Sequence, residues 1–287
     1  MGRRCHDGLS RREALAAIGG ATVLAGALSD GSNARSREGN KMIYVLIHPA
    51  WLGGWCWSKV VPLLLAEGHG VHAPTLTGLG ERVHLSNPDI GLATHIEDVV
   101  NALEFENLQR VILVGTSSGG MVITGVADRV PDRLARVVYL DAFVPEHNQS
   151  LVDLLPADRR RAMEEFVKAE GQGWLLPRFA APSWERIVRE MWGVTSDDDV
   201  SWMLARLRPT PFSHFSDPVR RLNPAAAKVD RVYIRCQQFQ PGKHVFDRHA
   251  AMARQTPGWR CLELETPHLP YITHPAELAK VLLGLAA

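Results

Sequence analysis

Net charge, cysteine and long apolar runs are all scarce in this chain, and each scarcity excludes something. In 287 residues, 32 Lys and Arg stand against 31 Asp and Glu, a formal charge of +1. Proteins that grip duplex nucleic acid by counterion release show a basic excess or a basic patch, so no nucleic-acid partner is expected. Of the 4 cysteines, Cys5 lies in an N-terminal segment set apart below, which leaves Cys56, Cys236 and Cys261. An odd number at wide spacing supplies neither a disulfide framework nor the CxxC pairs of a zinc site, so each reads as a small buried hydrophobe. The longest apolar stretch, Ala14 to Leu28, is rich in Gly and Ala and too short for a membrane helix of about 20 strongly apolar residues. No membrane span is expected. With 22% charged residues and no long polar low-complexity tract, the chain belongs with folded rather than disordered sequences.

Residues 1–40 have the layout of an export signal and linker. Arg3, Arg4, Arg11 and Arg12 precede the apolar stretch, and a Ser/Asn/Gly-rich segment follows it. The order Ser10-Arg11-Arg12-Glu13-Ala14-Leu15 resembles the twin-arginine motif of proteins exported already folded, and Ala25 with Ala27 offers a small-x-small cleavage site. The expected location is periplasmic or secreted, and cytoplasmic if the signal is not used. The remaining stretch, 41–287, is the size of one domain.

From Met42 onward short apolar runs alternate with helical patterns. The runs are Ile43 to Ile47, Val71 to Ala73, Val111 to Val114, Val137 to Leu140, Val232 to Cys236 and Cys261 to Leu264. Ile96, Val99, Val100 and Leu103 fall on one helix face, as do Leu278, Val281, Leu282 and Leu285. Near-continuous apolar strands joined by helices imply a mostly parallel sheet covered on both faces, with ligands at the carboxyl ends of the strands. Between 145 and 227 the alternation stops. Helically spaced sets (Met163, Phe166, Val167; Val188, Met191, Trp192; Val200, Met203, Leu204, Leu207) follow one another without a strand, punctuated by prolines. This predicts a helical cap. Trp174 and Trp192 from the cap, with Trp51 from the loop after the first strand, are the expected substrate-binding aromatics.

The strongest chemical signal is Gly115-Thr116-Ser117-Ser118-Gly119, placed directly after a strand and before a helix-compatible run. That is a nucleophile elbow in its required context: a sharp strand-to-helix turn exposes the serine and brings two backbone segments too close for side chains at the glycines. Ser117 at the helix N-terminus then meets free N–H groups that favour developing negative charge. A serine hydroxyl needs a base, and His268, in the loop after the last strand, occupies that topological slot among the 12 histidines. The oxyanion donors expected are the backbone N–H groups of Ser118 and Ala50, since Pro49 has none. His48, at a strand end, suits a structural hydrogen bond better than catalysis. His69/His72 and His244/His249 lack a third ligand at sensible spacing, so no metal is expected.

His48-Pro-Ala-Trp-Leu-Gly-Gly-Trp-Cys-Trp57, Leu76-Thr-Gly-Leu-Gly-Glu-Arg82, Thr94-His-Ile-Glu-Asp-Val-Val100, Gly115-Thr-Ser-Ser-Gly-Gly-Met121 and Tyr139-Leu-Asp-Ala-Phe-Val-Pro145 resemble the α/β-hydrolase subfamily of plant methylesterases and hydroxynitrile lyases and their bacterial relatives, including pyrethroid-type carboxylesterases. The resemblance implies an α/β-hydrolase fold of about six mostly parallel strands with a helical cap. It also exposes departures: Pro49 replaces a glycine, Thr116 a histidine, and Pro267 stands before His268. In the plant members the triad acid follows the strand corresponding to Val232–Cys236, where this chain reads Gln237-Gln238-Phe239-Gln240. An amide orients imidazole but carries no charge to stabilise imidazolium, so another acid is expected. Asp141, ending the strand after the elbow, emerges on the same sheet edge as Ser117 and His268 and is favoured; Asp247 and Glu146 are the runners-up.

These residues predict a serine carboxylesterase acting on a hydrophobic small-molecule ester, aromatic esters included, with no cofactor. A homodimer is compatible with the sequence, which does not require one. Two other readings stay open. A hydroxynitrile lyase would need Lys after the catalytic His, where Leu269 stands. A catalytically degraded ligand binder would account for the changed motif positions.

Overall fold

The computed structural model describes residues 41–177, 181–238 and 243–286. The export segment, with Ala25 and Ala27, lies outside the described residues.

Six parallel strands form the sheet: β1 (Ile43–Ile47), β2 (Gly70–His72), β3 (Val111–Thr116), β4 (Leu134–Leu140), β7 (Asp230–Cys236) and β8 (Trp259–Leu264), in the order β2-β1-β3-β4-β7-β8. All six apolar runs read from the sequence are strands, because continuous Val/Ile/Leu sequence suits a sheet buried on both faces. Successive side chains alternate between two cores. Val45, Ile47, Leu113 and Val137 join one, with Val99 and Leu103 of α2 (Leu92–Phe105) and the apolar face of α3 (Gly119–Arg129). Tyr44, Leu46, Val114 and Val138 join the other, with Leu64 of α1 (Val61–Ala66) and Leu278 and Leu282 of the C-terminal helix Pro275–Gly284. The strand order reverses around β1 and β3, so the loops after these central strands open onto a common crevice.

The segment between β4 and β7 carries α4 (Ala157–Glu170), α5 (Ala181–Arg186) and α6 (Asp197–Leu204). Helix α6 is capped by Ser196, whose hydroxyl accepts from Asp199 N–H at 3.3 Å, and three aspartates fill its first turn, where the helix dipole favours them. One π-helical turn, Ile187–Met191, follows α5 and ends at Trp192. The expectation of a segment without strands needs correcting. Leu175–Leu176 (β5) pairs antiparallel with Thr210–Pro211 (β6). Two residues on each side are too few for a period-two pattern to register, and Pro211 argues against a strand in any sequence reading.

Candidate active site

The turn between β3 and α3 brings Ser117 to the top of the sheet. Its φ is 51°, left-handed for a residue with a Cβ, a strained conformation that must be held by its surroundings. Two backbone bonds across to the end of β4 hold it: Ser117 N–H donates to Leu140 O at 3.3 Å, and Phe143 N–H donates to Ser117 O at 3.0 Å. Gly120 makes the approach feasible, since a Cβ there would lie 2.1 Å from Phe143 O. That glycine stands one residue past the five-residue motif.

His268, buried in the loop after β8, meets Asp141 through Nδ1 to Oδ2 at 2.7 Å. A carboxylate at Nδ1 holds the proton there, leaving Nε2 as the basic nitrogen. Asp141 is also left-handed, φ 43°, and its N–H donates to Ile234 O at 2.7 Å. Its other oxygen, Oδ1, accepts from Arg235 Nη1 at 3.0 Å and from Cys236 N–H at 3.2 Å. Of the three acids considered, Asp141 is the one brought to the histidine. Asp247, 43% exposed where Asp141 is 0%, sits one step behind, accepting from Arg235 Nε at 2.9 Å. Glu146 is exposed, and its N–H donates to Gln149 Oε1. Gln237 and Gln238, at the usual acid position, use their N–H groups on Leu264 O and Thr266 O, tying the end of β7 to the loop that carries His268.

Sequence reading missed Arg235. A guanidinium at 1% exposure in a central strand requires a buried partner. The register offers one: Leu140 pairs with Ile234, so the next residues, Asp141 and Arg235, lie side by side.

A cavity of about 210 Å³ opens beside Ser117 and His268. Trp51, Met191, Trp192, Phe143, Phe215 and Phe246 make it apolar, and Arg159 from α4 also lines it. Trp51 anchors an aromatic cluster, with Trp184 at 5.4 Å, Phe215 at 5.6 Å and Trp192 at 6.5 Å between ring centroids. The π-helical turn is what delivers Met191 and Trp192, as such turns commonly do at sites. Trp174 is not in the lining. Its carbonyl accepts from Phe212 N–H at 2.7 Å in the turn before β5.

The expected oxyanion loop differs in one respect. Ala50 N–H does not face the cavity unoccupied; it donates to the side chain of Ser118 at 2.8 Å. Behind it, His48 is structural: Nδ1–H reaches Pro49 O at 2.9 Å and Nε2 accepts Leu76 N–H at 3.0 Å, and burial pushes its pKa down to about 4. Cys56 and Cys236 are buried and Cys261 partly so, all three as free thiols. Among the described residues no group of three or more His, Cys, Asp or Glu could hold a metal ion, and no helix is long and apolar enough to cross a membrane.

Comparison with known proteins agrees with this architecture. The chain is 38% identical over 249 residues to the carbendazim hydrolyzing esterase of Nocardioides sp. (strain SG-4G), covering 84% of this chain and 98% of that protein. It is 28% identical over 272 residues to methylesterase 2 of Arabidopsis thaliana, covering 88% and 98%. Among solved structures, an extracellular alpha/beta-hydrolase from a Paenibacillus species matches with a TM-score of 0.72 at 23% identity over 85% of this chain and 98% of that one. A pyrethroid hydrolase from Sphingobium faniae JZ-2 matches at 0.65 and 25% over 85% and 97%. The sequence profile described as the alpha/beta hydrolase family matches residues 44–281, and with the six-stranded parallel sheet and the elbow at Ser117 this makes the chain a member of the alpha/beta hydrolase family.

Proposed function

We propose that the protein is a serine carboxylesterase in which Ser117, His268 and Asp141 form the catalytic triad. The observation that carries the reading is the 2.7 Å contact between buried His268 Nδ1 and Asp141, beside a strained serine on the same apolar cavity. Ser117 Oγ bonds to the ester carbonyl carbon as His268 Nε2 takes its proton. The tetrahedral intermediate collapses, the bond to the alkoxy oxygen breaks, and His268 returns the proton to the departing alcohol. Water then repeats the sequence on the acyl enzyme and releases the acid. Asp141 keeps the imidazole in the required tautomer and stabilises its cationic form.

The apolar, aromatic lining supports an ester with a hydrophobic, aromatic portion. The names of the relatives support the same class, being a carbendazim-hydrolysing esterase, methylesterases and a pyrethroid hydrolase. Leu269 beside His268 offers no cation for cyanide chemistry, and an intact Asp–His pair is not what a degraded binder needs. Hydrolysis of p-nitrophenyl, methyl and bulky aromatic esters, measured for wild type and Ser117→Ala, tests the reading. The expected result is turnover of aromatic esters that falls by at least about 10³-fold in the variant; equal rates in the two proteins would refute it. Export through the twin-arginine-like segment belongs to the same reading and is tested by the N-terminus of periplasmic protein, expected near residue 28 and not at Met1.

A further inference from the structure

The geometry points to the side-chain hydroxyl of Ser118 as a donor in the oxyanion hole, with Ala50 N–H acting behind it to position and polarise it. This rests on the serine-esterase reading and sharpens it. Three observations lead there.

The first is the bond itself. Ala50 N–H, the donor that the loop after β1 would ordinarily offer to the substrate oxygen, is engaged by Ser118 Oγ at 2.8 Å.

The second is that the loop holding Ala50 is pinned on both sides. His48 bonds Pro49 O and Leu76 N–H through its two ring nitrogens, and Trp51 N–H donates to Thr210 Oγ1 at 2.8 Å with Trp51 itself at φ 63°. Ala50 cannot readily swing its N–H toward a substrate without undoing these bonds.

The third is the donor account of the hydroxyl. An alcohol has one proton to give and two lone pairs to accept with. In accepting from Ala50, Ser118 Oγ orients its proton away from Ala50, and none of the described residues accepts that proton. Ser118 is 3% exposed and lines the cavity next to Ser117. A buried O–H without an acceptor is costly, and the open space beside it is where the carbonyl oxygen of a substrate attacked by Ser117 would stand. The Ala50 bond strengthens the hydroxyl as a donor, because hydrogen bonds in series polarise one another. A single residue would then supply two donors, its backbone N–H and its Oγ–H, and both would act on charge that develops only as the ester is attacked.

The opposite reading makes Ser118 Oγ a plug that occupies the Ala50 donor and must move aside. The two differ in sign. Steady-state kinetics on p-nitrophenyl butyrate would be measured for wild type, Ser118→Ala and Ser118→Thr, the last retaining the hydroxyl. Affinity for an aryl trifluoromethyl ketone, whose adduct with Ser117 carries an oxyanion, would be compared with that for the unfluorinated ketone. The expected result is a kcat about 100-fold lower in Ser118→Ala with KM within about twofold. Trifluoromethyl ketone affinity should fall in parallel, unfluorinated ketone affinity should hold, and Ser118→Thr should recover most of the loss. An unchanged or higher kcat in Ser118→Ala, or equal losses for both ketones, overturns the assignment. Wild-type protein that hydrolyses no ester would sink the esterase reading and this one together, whereas an active wild type with an undiminished Ser118→Ala sinks this one alone.

Discussion

At Asp141 two demands meet. The carboxylate must hold His268 with one oxygen while the other is engaged by the Arg235 guanidinium and the Cys236 N–H. Arginine fixes the carboxylate's orientation, and in the proposed mechanism its charge opposes the imidazolium that would form; Asp247 on the far side of the guanidinium offsets part of that opposition. The roles are separable. Asp141→Asn should lower kcat by about 10⁴-fold, as loss of the acid does in serine proteases, while Asp247→Asn should cost less than about tenfold. A near-normal kcat in Asp141→Asn together with a large loss in Asp247→Asn would move the acid to Asp247. Removing Arg235 should mainly cost stability, about 3 to 5 kcal/mol in Arg235→Leu, because it leaves Asp141 buried without its ion-pair partner; urea denaturation measures it. At this scale the meeting of His268 with Asp141 was legible because each residue ends a strand or follows one, and topology brings strand ends together. Arg235 was harder to see. A charge inside an apolar strand carries meaning only once its neighbour in the register is known.

The elbow is an element-scale device. Strand β3, the turn and α3 function together only if the turn can press against the end of β4, and Gly120 is where that contact is tightest. Gly120→Ala is expected to destabilise the fold by about 1 to 3 kcal/mol through overpacking and to lower kcat as well, since relief of the clash must displace the Phe143–Ser117 bond that holds the strained serine. Calorimetry and kinetics on the same sample check this, and a variant with native stability and activity would contradict it. Sheet strands and long helices were readable here because continuous apolar runs or helical spacing mark them, even at the three-residue β2. The β5/β6 pair and the π-helical turn were not, because their existence depends on what packs against them. Trp174 illustrates the consequence. Its place among the cap tryptophans predicted a pocket residue, and the cavity lining does not include it.

For the whole molecule, buried histidines set the pH response. Burial lowers the pKa of His48, His95 and His249 to about 4 and that of His214 well below its ordinary value. His95 and His214 face each other Nδ1 to Nδ1 at 2.9 Å, a bond that needs at least one neutral ring. In the unfolded chain these groups titrate near 6.5. Between about pH 6.5 and 4 the unfolded state therefore binds protons that the folded state refuses, and stability falls as pH falls. The slope is on the order of 1 kcal/mol per histidine per pH unit. The midpoint of thermal unfolding should be level above about pH 7 and drop steeply from 6.5 to 4; a flat profile across that window would contradict the burial of these rings.

The central claim, that Ser117 is a nucleophile activated by His268, is tested most directly by intact-protein mass spectrometry with peptide mapping after exposure to a fluorophosphonate. The account predicts one phosphonyl adduct per chain, carried on Ser117, absent in Ser117→Ala and formed at least about 10³-fold more slowly in His268→Ala. A folded wild-type protein that takes up no label, or takes it up on another residue, would contradict it.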